Sequence, residues 1–252
     1  MSFHAKLSEQ IAEDYSDIED NKKIWEITRK YFRGKVVLDA GCGKGNFSRI
    51  LSSGEFNVVG VDICKNLLMS SKSSDRSNRF NPVLCDLERM PFKDECFDMC
   101  ACIFVLHHFP DISDVSKEFS RILKDEGGIL LVDTNGSNPY IKLSRNLGKR
   151  IGPLLERIGR ASRNEGSHTH SMYIENLKEA GFNNIHFKSQ HLNKELQRLR
   201  VRNLREVSIY TVAAFERAVF NMTWKLLPQP LGGHSLIIHS IKRPDDYTTK
   251  KS

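Results

Sequence analysis

Short apolar runs alternate along the chain with longer segments in which apolar residues recur at helical spacing. A short apolar run bounded by turn residues is typical of a buried strand, and an amphipathic segment is typical of a helix. Their alternation predicts a parallel sheet with helices on both faces, a doubly wound α/β fold. The predicted strands are residues 35–40, 57–62, 80–85, 98–104, 128–133, 183–188 and 235–241, with helices near 45–53, 64–72, 112–124 and 170–180.

The same pattern divides the chain of 252 residues into one domain with additions. Residues 1–34 are predicted to form a helical cap, and residues 35–243 the α/β domain. Helical insertions are predicted at about 138–165 and 191–228, and residues 244–252 are predicted to be a flexible polar tail. Gly127 and Gly128 are predicted to end the fourth helix and begin the fifth strand, and Gly181 to do the same before the sixth.

A glycine-rich turn follows the first predicted strand. Gly41, Gly43 and Gly45 stand at alternate positions directly after the apolar run that ends at Ala40. Such a turn lets the backbone approach a bound ligand because no Cβ intervenes. Asp62 ends the second run about 20 residues later, where nucleotide-binding βαβ units place an acid on the ribose hydroxyls. The pattern predicts an adenosine-containing cofactor, although a plain turn and a helix N-cap explain each feature alone.

The spacing of the glycines distinguishes between cofactors. Dinucleotide sites carry G-x-G-x-x-G, and Asn46 stands here where the third glycine of that pattern would be. NAD(P) therefore stays the minor alternative. The segment from Asp39 to Gly45 resembles the first motif, D-x-G-x-G-x-G, of the class I S-adenosylmethionine-dependent methyltransferases. Asp62 resembles the ribose-binding acid of that family.

Two further segments carry the resemblance. Asp86 ends the third apolar run, and in the family such an acid accepts a hydrogen bond from the adenine amino group. Residues 88–109 resemble the "LPF…FD…LHH" run of a subgroup that includes quinone-biosynthesis and small-molecule methyltransferases. The resemblance implies a seven-stranded Rossmann-like sheet whose last strand is antiparallel, with S-adenosylmethionine as cofactor and S-adenosylhomocysteine as product. The implied cofactor-binding residues are Asp39, Ala40, Gly41, Cys42, Gly43, Gly45, Asp62, Ile63, Asp86, Leu87, Ile103 and Phe104.

The candidate catalytic residues follow the fourth strand. His107 and His108 are placed at its carboxyl end, where open α/β sheets bind their ligands, and a neutral histidine accepts a proton at physiological pH. Packing against the cofactor edge is the structural alternative. Asp133 and Thr134 end the fifth strand and border the predicted acceptor region. The residues predicted to contact the acceptor are Tyr15, Asn135, His170 and Tyr173, for which packing, a turn and a helix start are the alternatives.

Charge, cysteine content and the absence of long apolar runs indicate which partners, metal sites and location to expect. The net charge is +7, which suggests an anionic partner, and the segment 142–163 is basic and amphipathic. That segment either contacts an anionic membrane surface or acidic substrate, or is an ordinary cap with a solvated basic face, which we favour. The six cysteines lack C-x-x-C spacing, so free thiols and no metal site are predicted. No apolar run resembles a signal peptide or a membrane span, which predicts a cytoplasmic protein.

Three functions are compatible with these features. The apolar second insertion favours methyl transfer to a small or lipid-like metabolite. The basic first insertion favours RNA or protein as acceptor, although the Asn/Asp-Pro-Pro-aromatic motif of base methyltransferases is absent after the fourth strand, so nucleic acid is the less favoured partner. The third hypothesis is a non-catalytic protein that binds S-adenosylmethionine.

Overall fold

A computed structural model describes residues 18–73, 78–139, 141–142, 168–190, 228–231 and 235–242. Tyr15, nearly all of the basic segment 142–163, most of the second predicted insertion and the predicted tail lie outside these described residues. The domain boundaries predicted there stay predictions.

The described part of the chain forms a single seven-stranded mixed sheet. Its spatial order is β3-β2-β1-β4-β5-β7-β6. Strand β7 runs antiparallel to both of its neighbours, and the other paired strands are parallel. The predicted Rossmann-like sheet with an antiparallel last strand is therefore confirmed. The strands are β1 Val36–Ala40, β2 Asn57–Asp62, β3 Phe80–Leu84, β4 Phe97–Ile103, β5 Leu123–Thr134, β6 Phe182–Gln190 and β7 Ser235–Lys242.

Helices pack on both faces of the sheet. One buried cluster joins the sheet to Phe119, Ile122 and Leu177, and a second joins the opposite face to Ile24 and Leu51. Fully burying one such side chain stabilises the fold by roughly 1.5 to 3 kcal/mol. The helices are α1 Ile18–Thr28, α2 Asn46–Ser52, α3 Lys65–Ser73, α4 Ser113–Ile122 and α5 His170–Glu179, with short 3-10 turns at Arg29–Tyr31 and Leu106–His108.

The predicted start of β5 is wrong by five positions. Helix α4 ends at Ile122, and β5 begins at once with Leu123, which is fully buried and pairs with Phe97 of β4. The next pair joins Met99 to Gly128, so an irregularity inserts extra residues into β5. Gly128 therefore lies inside the strand, where a Cβ would meet the Met99 sulfur at 2.6 Å. Close packing, and not the end of a helix, explains this glycine.

All six cysteines are free, as the sequence predicts. Burial raises the pKa of the Cys42, Cys100 and Cys102 thiols well above the usual value. These three side chains are therefore neutral thiols at physiological pH and serve as small apolar packing groups.

Candidate active site at the carboxyl ends of the parallel strands

The turn after β1 depends on backbone geometry that favours glycine. Gly41, Gly43 and Gly45 have φ values of +73°, +52° and +72°. L-residues with a Cβ adopt this left-handed region at a cost of roughly 1 to 2 kcal/mol each. The turn is anchored to β2 because the N–H groups of Gly41 and Cys42 both donate to the carbonyl oxygen of Val61, at 2.8 and 2.9 Å.

The three glycines have different surroundings. A Cβ at Gly41 would lie 2.3 Å from Cγ2 of Val105, and one at Gly45 would lie 2.7 Å from Cε1 of Phe80. A Cβ at Gly43 would meet nothing closer than Cδ1 of Leu67, at 4.0 Å. Gly41 and Gly45 therefore permit close packing inside the protein, whereas Gly43 borders open space. This open side of the turn fits the approach of a cofactor.

Asp62 lies against the same turn at the end of β2. Its Oδ2 accepts a hydrogen bond from the N–H of Gly43 at 2.9 Å, and its Oδ1 accepts one from the N–H of Cys64 at 2.8 Å. Burial raises the pKa of Asp62, and the backbone donors partly offset that effect. A carboxylate offers about four lone-pair sites, so two bonds leave acceptor capacity for ribose hydroxyls. The bond from Cys64 also fits the simpler role of a cap before α3.

Asp39 occupies a different environment from Asp62. It is only 2% exposed, and its Oδ2 accepts the hydroxyl proton of Ser48 at 2.5 Å. Burial raises its pKa to about 6, and the hydrogen bond from Ser48 only partly counters this. Asp39 thus joins β1 to α2 beneath the turn.

The other residues predicted to bind the cofactor lie at the ends of β1 to β4. Asp86 is half-buried and its Oδ1 accepts a 3.1 Å hydrogen bond from the N–H of Glu88. Phe104 has φ +54°, and its N–H donates to the Val132 carbonyl oxygen at 2.6 Å. Such a non-glycine φ is rare and clusters at functional sites. Ala40 and Leu87 are buried, while Ile63 and Ile103 are half-buried.

These segments meet where the strand order reverses. β1 lies between β2 and β4, and the chain leaves it in one direction for β2 and β3 and in the other for β4 and β5. Ligands of open α/β sheets bind at the carboxyl ends of the strands at such a switch point. The contact between Gly41 and Val105 places the residues after β4 directly against the glycine turn.

His107 is held by a carboxylate two strands away from that turn. Its Nδ1 lies 2.7 Å from Oδ1 of Asp133, and its backbone N–H donates to Oδ2 at 3.1 Å. Burial alone would raise the pKa of Asp133, but the imidazole and backbone N–H donors outweigh it and lower the pKa below the usual value. The aspartate is therefore negative at neutral pH, which favours a proton on Nδ1 and leaves a lone pair on Nε2.

The remaining residues that were predicted to be catalytic or to contact the acceptor, and that lie in the described part of the chain, divide into two groups. His108 lies beside His107, with ring centroids 4.0 Å apart, and His170 Nδ1 lies 2.8 Å from the Ser137 hydroxyl. Asn135 and Tyr173 are completely buried. The Asn135 amide donates to the Pro230 carbonyl oxygen at 2.6 Å, and the Tyr173 ring meets His168 edge-on. In this conformation the second group packs the protein interior.

Three contacts were not identified from the sequence. They are the pairing of Asp133 with His107, the pairing of Ser137 with His170, and the hydrogen bond between His168 Nε2 and the Phe109 carbonyl oxygen at 2.8 Å. Asp133 did have a recognisable signal, since it ends an apolar run as Asp39, Asp62 and Asp86 do. Its partner was not predictable because 26 residues separate the two side chains.

Neither a metal site nor a membrane span is found in the described residues. No three His, Cys, Asp or Glu side chains within them are grouped to hold an ion. No helix in this part of the chain is long and apolar enough to cross a membrane.

The segment that forms the switch point is similar to known proteins. Residues 38–131 match a family described as "Methyltransferase domain". The uncharacterized methyltransferase YcgJ of Bacillus subtilis is 33% identical over 100 residues, 38% of this chain and 40% of that protein. A demethylmenaquinone methyltransferase of Lactobacillus johnsonii is 28% identical over 182 residues, 62% of this chain and 74% of that protein.

Two further similar proteins are a probable tRNA methyltransferase and a methyltransferase of known structure. A probable tRNA methyltransferase 9B of Homo sapiens is 29% identical over 130 residues, 49% of this chain and 27% of that protein. The crystal structure of a SAM-dependent methyltransferase from Archaeoglobus fulgidus superposes with a TM-score of 0.64 at 17% identity, covering 96% of this chain and 100% of that one. The chain spans about 40% of the length of several curated relatives, at 41%, 40% and 39%.

The fold and the glycine turn define a cofactor-binding protein of the doubly wound α/β class. The family match within that fold is more specific. The match over residues 38–131 and the methyltransferases among the relatives support the predicted class I S-adenosylmethionine-dependent methyltransferase family, with S-adenosylmethionine as its cofactor.

Proposed function

We propose that this protein transfers the methyl group of S-adenosylmethionine to a small or lipid-like acceptor that loses a proton in the reaction. The observation that carries the proposal is the His107–Asp133 pair, 2.7 Å between Nδ1 and Oδ1, beside a glycine turn of the matched family. A base is needed only where the acceptor atom holds its proton tightly, as a hydroxyl or a carbon acid does.

The cofactor is assigned to the turn and the strand ends beside it. Gly43 borders open space for it, Asp62 has acceptor capacity for the ribose, and Asp86 and Leu87 are assigned to the adenine. When bound, S-adenosylmethionine supplies a methyl group on a positively charged sulfur that leaves as a neutral thioether. The protein aligns the acceptor with that methyl group and excludes water.

His107 is assigned the role of proton acceptor. Asp133 holds the imidazole through Nδ1, so Nε2 has the lone pair that receives the acceptor's proton. The resulting imidazolium forms next to a carboxylate whose pKa is lowered, and the pair stabilises that charge. His107 is only 13% exposed, and partial exclusion of water strengthens this interaction.

Two observations support a small or lipid-like acceptor. The match to a demethylmenaquinone methyltransferase extends over 74% of that protein. Three half-buried apolar side chains flank the histidine turn, which is the 3-10 turn Leu106–His108, and provide apolar surface: Phe104, Val105 and Phe109. Such a lining suits an acceptor with an aromatic or aliphatic body.

RNA is the second candidate acceptor. The net charge of +7 and the similarity to a protein named as a probable tRNA methyltransferase favour it. Binding to RNA would weaken steeply as salt concentration rises, because phosphate neutralisation releases counterions.

The first experiment is calorimetric titration of the protein with S-adenosylhomocysteine and, separately, with NAD. We expect micromolar affinity for S-adenosylhomocysteine that is lost in Asp62→Ala and Asp86→Ala, with Asp114→Ala as an exposed control. Labelled methyl donor is then incubated with a lipid extract, a polar metabolite extract and total RNA. Label in the lipid or metabolite fractions supports the proposal; label only in RNA, or binding of NAD alone, contradicts it.

A further inference from the structure

The hydroxyl of Ser137 connects the turn after β5 to the first residue of α5. Its Oγ lies 2.8 Å from Nδ1 of His170 and also accepts the backbone N–H of that residue at 2.9 Å. The two residues are 33 positions apart in the chain. The serine therefore contacts the histidine at both its ring and its backbone.

This double contact allows the Ser137 hydroxyl to donate its proton to Nδ1 of His170. The Ser137 oxygen accepts the backbone N–H through a lone pair, so its hydroxyl proton remains available for Nδ1 of His170. A neutral imidazole that accepts at Nδ1 carries its proton on Nε2. His107 has the opposite arrangement, since Asp133 holds its Nδ1–H and its Nε2 is an acceptor.

The segments that carry the two histidines are bonded to each other. The N–H of Gly136 donates to the carbonyl oxygen of His168 at 3.1 Å, and Nε2 of His168 contacts the carbonyl oxygen of Phe109 at 2.8 Å. The turn after β4, the turn after β5 and the start of α5 thus form one hydrogen-bonded assembly. With Ser137 as the donor to His170 and Asp133 as the acceptor from His107, Nε2 carries a proton in His170 and a lone pair in His107.

We propose that His170 determines acceptor specificity by donating its Nε2–H to an oxygen of the methyl acceptor. This inference rests on the proposed function and narrows its substrate class: the acceptor has a proton-bearing nucleophile for His107 and a second, hydrogen-bond-accepting oxygen for His170. The His170 ring also lies 5.5 Å from that of Phe187, which is 39% exposed and provides apolar surface next to the donor. An oxygenated ring or a lipid headgroup with an apolar body satisfies both features.

The tautomers are measurable without any substrate. Long-range proton–nitrogen NMR of the full-length protein at neutral pH distinguishes protonated from unprotonated ring nitrogens. We expect a proton on Nε2 of His170 and on Nδ1 of His107. Ser137→Ala abolishes the preference at His170 and leaves His107 unchanged, whereas Ser137→Thr and the exposed control Ser53→Ala preserve it. A proton on Nδ1 of His170 in the wild type overturns the proposal.

Kinetics test the specificity itself. Wild-type protein is compared on 1,4-dihydroxynaphthalene and on 1-naphthol, which lacks the second oxygen, with labelled S-adenosylmethionine. We expect about a tenfold preference in kcat/KM for the diol, the value of one hydrogen bond, lost in His170→Phe and largely retained in His170→Gln, which keeps a donor. The KM for S-adenosylmethionine stays unchanged.

The failures of the two proposals are distinguishable. Absence of both S-adenosylhomocysteine binding and methyl transfer contradicts the proposed function. Methyl transfer in which His170→Phe equals the wild type on both naphthols, or cofactor binding with turnover of neither, overturns the role of His170 alone.

Discussion

The candidate active site has two halves that are built in different ways. The cofactor edge is the glycine turn after β1, and the acceptor edge is the histidine turn, Leu106–His108, with the residues that follow β5. Around the glycine turn, the defining hydrogen bonds use backbone N–H groups, such as those that Gly43 donates to Asp62 and that Gly41 donates to Val61. Around the histidine turn, they use side chains from distant segments: 26 positions separate His107 from Asp133, and 95 separate Asn135 from Pro230. Backbone geometry is recognisable in a motif, whereas long-range side-chain pairs are not. The difference teaches that the turn after β1 can be read from a short motif, whereas the pairings after β4 and β5 depend on how distant segments pack.

The largest effect is expected from filling the space at the glycine turn. Gly41→Ala combines a left-handed φ of +73° with a Cβ 2.3 Å from Val105. We expect a loss of roughly 2 to 5 kcal/mol in the free energy of unfolding, measured by urea denaturation, together with loss of cofactor binding.

Gly43→Ala is the matched control for this prediction. It has a similar φ of +52° but meets only Leu67 at 4.0 Å, so only the backbone cost of about 1 to 2 kcal/mol applies. Val105→Ala in the Gly41→Ala background should restore part of the loss. Equal destabilisation by the two glycine substitutions would show that packing against the histidine turn is unimportant.

The buried acid beneath the turn should make stability depend on pH. The pKa of Asp39 is raised from 3.8 to about 6, so the folded state binds the proton more tightly than the unfolded state does. The contribution of Asp39 to the free energy of unfolding therefore falls as pH rises from about 4 to about 6, by roughly 3 kcal/mol in total. Above that range the contribution is constant. Asp39→Asn should lack this slope when unfolding is followed in urea across these pH values. Parallel curves for the wild type and the variant would rule out a raised pKa for Asp39.

The acceptor edge should lose catalysis without losing cofactor binding. Asp133→Asn removes the negative partner of His107 and should lower kcat roughly 100-fold, with affinity for S-adenosylhomocysteine unchanged. The acidic limb of the pH–rate profile should shift as well, because the charged form of the histidine loses its carboxylate partner. Asp114→Asn, an exposed acid paired with Lys117, is the control. An unchanged rate would remove the pair from the mechanism.

The smallest effect is expected at the buried amide beside the acceptor edge. Asn135→Ala removes the bond from a fully buried amide to the half-buried Pro230 carbonyl oxygen and should lower the free energy of unfolding by about 1 to 2 kcal/mol, because that oxygen loses its donor. Asn176→Ala, whose amide bonds a carbonyl four residues away on an exposed helix face, should cost less. A change in cofactor affinity in Asn135→Ala would contradict the separation of the two halves.

Much of the fold was predictable because its signals are local. All seven strands were placed from apolar runs, and the alternation with helices indicated the doubly wound sheet. The beginning of β5 was the exception, since Gly127 and Gly128 predicted that the fourth helix ends there and that the strand begins only at residue 128. Pairing of Leu123 with Phe97 extends the strand there, and no local pattern reveals that partner.

The candidate site also combines features with local sequence signals and features that depend on distant residues. Asp62 and the glycines were predicted as cofactor-binding residues from their spacing, and their positions at the switch point follow from the strand order. His107 was predicted as a candidate catalytic residue, but its contact with Asp133 was not predicted. Asn135 and Tyr173 were expected at the acceptor, whereas both are buried in this conformation. Exposure depends on which segments pack over a residue, and that is a property of the whole chain.

The sequence by itself determined the order of strands and helices, the glycine turn and the acids at the strand ends, because periodicity, φ preference and spacing act within a few residues. Only the tertiary structure decided which partner His107, His168 and His170 each contact and which glycine borders open space. Those features arise where segments distant in the chain converge at one edge of the sheet, and the lowered pKa of Asp133 follows from neighbours that no local motif specifies.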